Sequence, residues 1–228
     1  MGTTRKVKAI ELVFDWNMWP RQSAQRLDST NIADMRAALR AGFSLPPIVI
    51  NKKDMRIVDG FHRVRAVLDV FGDDAEIEAI AKEYESDAQM FLEGGALNMH
   101  WNHGLKMGPK DRAHFILKCR KLKIPPAAIA EALHIDEKAM RDFVAKRSAK
   151  TKDGEVIPLP AGARGLAGKE LTEVQEHFAR TANGCLPEMY ISMLLNALNA
   201  EAVMLDGKTL SRLRELRDKI DVILDEAA

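Results

Sequence analysis

Val58-Asp59-Gly60-Phe61-His62-Arg63-Val64-Arg65-Ala66 decides how the rest of the chain reads, because an apolar run stops there at a glycine and a helical period begins. Upstream, Ile48-Val49-Ile50 and Met55-Arg56-Ile57-Val58 flank the polar turn 51–54, which predicts a β-hairpin. Downstream, Phe61, Val64, Val67, Leu68 and Phe71 recur at three- and four-residue steps, the period of one buried helix face. A strand enters the glycine and a helix leaves it.

The first turn of that helix carries His62, Arg63 and Arg65. A helix N-terminus presents unpaired N–H groups and a partial positive charge, so cations there are mismatched by roughly 0.3–1 kcal/mol each. An anion would reverse the sign, because amides and guanidinium groups would converge on the same oxygens, and phosphate is the natural candidate. The alternative is that Arg63 and Arg65 are solvated or pair with Asp59 and Asp69.

Gly60-Phe61-His62-Arg63-Val64-Arg65-Ala66 resembles the G-E-R-R-x-R-A box of the partition protein ParB, and the form Asp59-Gly60-Phe61-His62-Arg63 resembles variants across the ParB/sulfiredoxin-like superfamily. In ParB this box holds the triphosphate of CTP. The resemblance therefore implies that Gly60, His62, Arg63 and Arg65, with Asp59 beside them, form a nucleotide site taking CTP with Mg2+. Trp19-Pro20-Arg21 resembles the family's N-P-R element, which would bring Arg21 to the nucleotide, although an Arg in a turn is the plainer reading. The family's E-N-x-x-R motif has the gapless match Leu97-Asn98-Met99-His100-Trp101, which keeps the asparagine and lacks the acid and the arginine. That leaves at most a slow CTPase and no assignable catalytic residue. A phage- and plasmid-type version, N-x-x-H-G, falls on His103-Gly104-Leu105 with Asp111-Arg112 downstream, so the register among Asn98, His100 and His103 stays open. His100 and His103 have no third ligand at a recognisable spacing, and metal coordination by protein side chains is not expected.

Composition is that of an ordinary globular chain: 228 residues, 46% hydrophobic, 29% charged. Neither a signal peptide nor a membrane-length apolar run is present, so the expectation is a cytoplasmic protein without a membrane partner. Cys119 and Cys185 lack a C-x-x-C spacing and read as core residues rather than a disulfide or zinc pair. The net charge of +1 conceals a basic middle: thirteen Lys/Arg against five Asp/Glu between Lys106 and Lys152. Such a block attracts polyanions.

Read in order, 6–14 is a strand, 28–42 a helix capped at Asp28 and stopped at Gly42, 48–58 the hairpin, 61–71 the helix and 77–80 a strand. This is a small α/β domain placed at 1–104. A helix over 86–102 contains Gly94-Gly95, which predicts a break or hinge. From Pro109 a helix runs to about 122. Then, from Pro126, residues Ile129, Ala130, Leu133, Ile135, Met140 and Phe143 fit a helix-turn-helix, with His134 at the turn position that requires positive φ. It fills a DNA-binding domain at 105–150. A helix-turn-helix reads the major groove with the start of its second helix, which nominates Lys138 and Arg141, with Lys146 and Arg147 near the phosphates. Asp136 and Glu137 at that start are unfavourable beside phosphates. Residues 151–168, rich in Lys, Gly and Pro, read as a linker. In 169–228, Thr172 and Gln175 make a capping box and two further helices follow, giving a small helical bundle suited to a homodimer.

The fold class is therefore α+β: a ParB-like α/β domain, a helix-turn-helix region and a helical C-terminal bundle. The function implied is a double-stranded-DNA-binding protein with a nucleotide site, serving partition or transcriptional regulation. Its rivals are a phosphotransferase on the same fold, since the box also resembles that of archaeal free-serine kinase, and a nucleotide-independent scaffold. Sulfiredoxin chemistry is excluded because Phe61 stands where the cysteine must be.

Overall fold

A computed structural model describes residues 3–21, 27–100, 107–181, 187–203 and 206–226. The first half is built as β1 (Thr3–Lys8), α1 (Ser29–Arg40), β2 (Ile48–Asn51), β3 (Ile57–Asp59), α2 (Phe61–Phe71) and β4 (Glu76–Lys82). The strands form one sheet in the order β1-β4-β2-β3, with β2 parallel to β4 and the other pairs antiparallel. β1 is shorter than its sequence suggests: its ladder runs from Thr3 opposite Ala81 to Lys8 opposite Glu76, where β4 begins. The chain then turns through a 3-10 segment at Ala9–Glu11.

The continuous run Ile48-Val49-Ile50 is buried throughout because both faces of the sheet are covered. Ile48, Ile50 and Ile57 face one core with α1 and α2, while Val49 and Val58 face a second with Met90, Phe91, Phe115 and Met140. The second core joins the sheet to α3 (Asp87–His100), α4 (Pro109–Lys121), α5 (Pro126–Ala132) and α6 (Glu137–Ala145). Contacts accordingly divide the chain into Met1–Cys185 and Leu186–Ala228, and the boundary read at 104/105 falls inside one unit.

Helix α3 passes unbroken through Gly94 and Gly95, contrary to the hinge expected there. Close packing is the reason. A Cβ on Gly95 would stand 1.9 Å from Phe115 Cε2, and one on Gly94 2.8 Å from the carbonyl oxygen of Val58. The glycines let α3 lie against β3 and α4.

The stretch 151–168 is likewise not a linker. Most of its first part, with Ser148–Lys150, forms an antiparallel hairpin of β5 (Ser148–Lys150) and β6 (Val156–Pro158), and a 3-10 segment follows at Ala161–Leu166. Thr151, Ile157, Leu159 and Ala163 are buried, so a few residues anchor a composition that otherwise reads as loop. After it, α7 (Glu173–Thr181) opens with the expected capping box: Thr172 N–H donates to Gln175 Oε1 at 3.0 Å and Gln175 N–H to Thr172 Oγ1 at 3.3 Å. The second unit holds α8 (Pro187–Asn199) and α9 (Gly207–Glu226). Among the described residues no helix is long and apolar enough to cross a membrane.

Replacing Gly95 by alanine separates packing from hinge. Helix propensity alone would make Gly95→Ala stabilising by about 1 kcal/mol. The contact with Phe115 predicts instead a loss of about 2 kcal/mol or more in urea unfolding.

Candidate nucleotide site and nucleic-acid face

Gly60 is the N-cap of α2, at φ +110°, and contributes no side-chain cap. Alanine would be strained there, and its Cβ would fall 2.4 Å from Ile48 Cγ2. The first N–H groups of α2 therefore lack intrahelical acceptors, and the N-cap residue itself supplies none.

Each of the three cations has its charge accounted for inside the protein. Arg63, its side chain 12% exposed, donates from Nη1 to the carbonyls of Pro46 (2.9 Å) and Pro47 (2.6 Å) and from Nη2 to Asp59 Oδ2 (2.5 Å). Arg65 turns outward to Asp69, 2.9 Å away. His62 accepts the Asp28 N–H on Nε2 at 3.0 Å, while the Asp28 side chain caps α1 through the Asn31 N–H at 2.8 Å. Burial, with the neighbouring Arg21 charge, lowers the His62 pKa to about 4, so the imidazole is neutral. The mismatch with the helix dipole is thereby offset inside the protein, by the pairing of Arg63 with Asp59 and Arg65 with Asp69 that was the alternative to an anion.

Arg21 and Asn98 come to the same place from distant parts of the chain. Arg21, 8% exposed, follows the buried Trp19 and Pro20 and donates to Asn98 Oδ1 at 3.3 Å. Asn98 Nδ2 donates to Asp59 Oδ1 (3.3 Å) and to the Gly94 carbonyl (2.8 Å). A hydrogen-bonded line Arg21–Asn98–Asp59–Arg63 thus crosses the start of α2. Burial pulls the Arg21 pKa down, opposed by Asp111, Asp59 and Asp28. Of the residues nominated from sequence, Arg21, Asp59, Gly60, His62, Arg63 and Asn98 converge; Arg65 lies on the outer side of the same turn, and His103 lies outside the described residues.

Phe61 is the hub of an aromatic cluster, with ring centroids 5.0 Å from Trp19, 5.7 Å from Trp16 and 5.9 Å from Phe14. It anchors the box by packing. Among the described residues no group of three His, Cys, Asp or Glu could hold a metal ion.

No family model matches the sequence, nor does any curated protein. Solved structures do. The chain is similar to a ParB from Caulobacter crescentus, C-terminally truncated and complexed to the centromeric parS site: 15% identity, TM-score 0.43, covering 62% of this chain and 70% of that one. It is also similar to a Pnob8-like ParB N-domain, at 14% identity and TM-score 0.40, covering 69% of this chain and spanning 57% of that one's length. The Caulobacter crescentus ParB complexed with CTPγS matches at 16% identity and TM-score 0.35, over 64% and 76%. These are likenesses of fold, and at this level they bear on neither ligand nor partner.

On the basic side, α5 and α6 are joined through residues 133–136, and His134 takes φ +50° in that turn. Met140 and Val144 are buried, which turns Lys138, Arg141 and Lys146 outward. The two early acids that looked unfavourable are engaged: Asp136 caps α6 through the Ala139 N–H at 2.8 Å, and Glu137 pairs with Arg141 at 3.3 Å. Arg147 lies over the Phe143 ring, 4.3 Å from its centroid, and Ile135 is 39% exposed rather than packed.

Neutral, buried His62 carries a pH dependence with a definite sign. Between about pH 4 and pH 6.5 the unfolded chain protonates this residue and the folded protein does not, so stability rises with pH across that window and falls on acidification. His114, lowered to about 4 chiefly by burial, acts in the same direction. His62→Gln keeps an acceptor for the Asp28 N–H and removes the titration. Its melting temperature should drop less between pH 7 and pH 5 than that of the wild type; equal drops would show that His62 is not held neutral.

Proposed function

We propose that this chain is a ParB-like protein that binds double-stranded DNA and carries a nucleotide site, for CTP with Mg2+, at the start of α2. The observation that supports the reading most is the glycine-capped N-terminus of α2 with Arg21, Arg63 and Asn98 gathered at it from separate stretches of chain. Free amide N–H groups and guanidinium forks suit phosphate oxygens. Asn98 supplies a neutral donor, and Asp59 is the one carboxylate of the line, suited to a phosphate-bound cation. Bound nucleotide would contribute the triphosphate charge; the residues of the line would orient it. Arg63 would then have to exchange its pairing with Asp59 for a phosphate oxygen while keeping the carbonyls of Pro46 and Pro47.

DNA would lie on α6, with Lys138 and Arg141 toward the groove and Lys146 and Arg147 toward the backbone. The apolar residues exposed on α8 and α9, among them Ile191, Leu195, Ile220 and Leu224, suit a homodimer through the second unit. Partition or transcriptional regulation is the process such a protein serves. The pairing of Arg63 with Asp59 and of Arg65 with Asp69 favours a second reading, in which DNA binding needs no nucleotide.

Calorimetric titration of CTP and of ATP with magnesium, with and without a mixed-sequence duplex, decides between them. Arg21→Gln is the informative variant, because its guanidinium belongs to the line and its loss leaves the Arg63 contacts with Pro46, Pro47 and Asp59 in place. CTP binding at least about tenfold tighter than ATP, weakened about tenfold in Arg21→Gln, supports the nucleotide site. Heat from neither nucleotide removes it. In anisotropy titrations of the duplex, the double variant Lys146→Ala/Arg147→Ala should weaken binding and lower the salt slope by about two; wild-type affinity and slope in that variant would remove the end of α6 from the DNA.

A further inference from the structure

Away from α2, a cavity of about 290 Å3 opens between α4, β6 and α7. His114, Leu117, Lys118 and Lys121 line it at three- and four-residue steps along α4, and Arg180 reaches it from α7. Among the described residues its one lining acid is Glu155, from the turn between β5 and β6. The two oxygens of that carboxylate are shared out, Oε1 to Lys121 Nζ and Oε2 to Arg180 Nη2 at 2.6 Å. Arg180 also pairs through Nε with Glu176 at 2.9 Å.

We propose that this cavity binds a phosphate group, held by Lys121 and Arg180, with Glu155 as the resident counter-ion that the phosphate displaces. Three features carry this. Two cations from different helices are already spaced to grip the two oxygens of one anion, the geometry in which a tetrahedral oxyanion also binds. The resident pairs are weak, since the Lys121, Glu155 and Arg180 side chains are 62%, 35% and 42% exposed, and solvent screens ion pairs at such positions. A phosphate with two charges competes well against a single carboxylate on such terms. The cavity is also roomy enough: about 290 Å3 lies at the lower end of the volumes of small-ligand sites and admits a phosphate or diphosphate.

Lys118 lines the wall, but its charge is engaged on other elements, which leaves Lys121 and Arg180 as the gripping cations. The Lys118 ammonium donates to the Asn17 carbonyl and sits 4.7 Å from the centroid of the Phe91 ring, and burial pulls its pKa down. The neutral His114 beside it offers a hydrogen-bond donor without a further charge.

The test is calorimetric titration of pyrophosphate, at constant ionic strength, into the full chain and into Glu155→Gln and Arg180→Gln, with Lys121→Gln in reserve should Arg180→Gln fail to fold. The expected result is saturable binding to the wild type, tightened at least fivefold in Glu155→Gln and abolished in Arg180→Gln or Lys121→Gln. The Glu155→Gln gain is the distinguishing sign, because a purely structural ion-pair network would yield no gain in affinity. Absence of saturable binding in both wild type and Glu155→Gln overturns the proposal. So does binding that survives Arg180→Gln and Lys121→Gln, which would place pyrophosphate at the start of α2 instead and leave the nucleotide reading untouched. A duplex arm identifies the source of the group: if a 20-base-pair duplex displaces pyrophosphate from the wild type, the site takes a backbone phosphodiester; if both bind together, it takes free phosphate.

Discussion

A single guanidinium holds one end of the sheet together. Arg63 joins the two proline carbonyls ahead of β2, the carboxylate at the end of β3 and the first turn of α2. Once the group is that deeply placed, removing either partner leaves an uncompensated charge in a poorly hydrated position, which costs several times what the intact pair contributes. Gly60 is constrained by the same geometry. The turn from β3 into α2 is so tight that Ile48 occupies the space a side chain would need. Glycine and arginine thus solve one problem between them: bringing a helix start directly onto the edge of a strand.

Joined to this turn is a second layer of restraint. His62 ties the start of α2 to the start of α1, and Asn98 ties Asp59 to α3 and, through Arg21, to the segment after β1. Lys118 then links α4 back to the Asn17 carbonyl, four positions before Arg21. The sheet and the basic helices are therefore connected by continuous packing and hydrogen bonds. Any influence of one site on the other travels through a shared core and not through a flexible joint at Gly94-Gly95.

Much of this was legible in the residues. Period-two and period-3.6 patterning located the hairpin and α2, Asp28 and Thr172 announced their caps, and His134 was recognisable as a turn residue needing positive φ. What escaped had physical causes. The pattern at 93–96 could not reveal that paired glycines serve close approach, because Phe115 and Val58 are remote in sequence. The hairpin of β5 and β6 is anchored by a handful of buried side chains within a composition dominated by polar residues. Charge on the first turn of α2 signalled a special site, but whether those cations face a ligand or their own carboxylates depends on where Pro46, Pro47 and Asn98 lie. Only the fold supplies that.

The most direct measurement is a double-mutant cycle on Asp59 and Arg63, using Asp59→Asn, Arg63→Gln and the pair, with stabilities from urea unfolding. A coupling of about 2 kcal/mol or more is predicted, in keeping with a desolvated, hydrogen-bonded ion pair on which the turn depends. A coupling below about 0.5 kcal/mol, the value of a solvated surface pair, would contradict it.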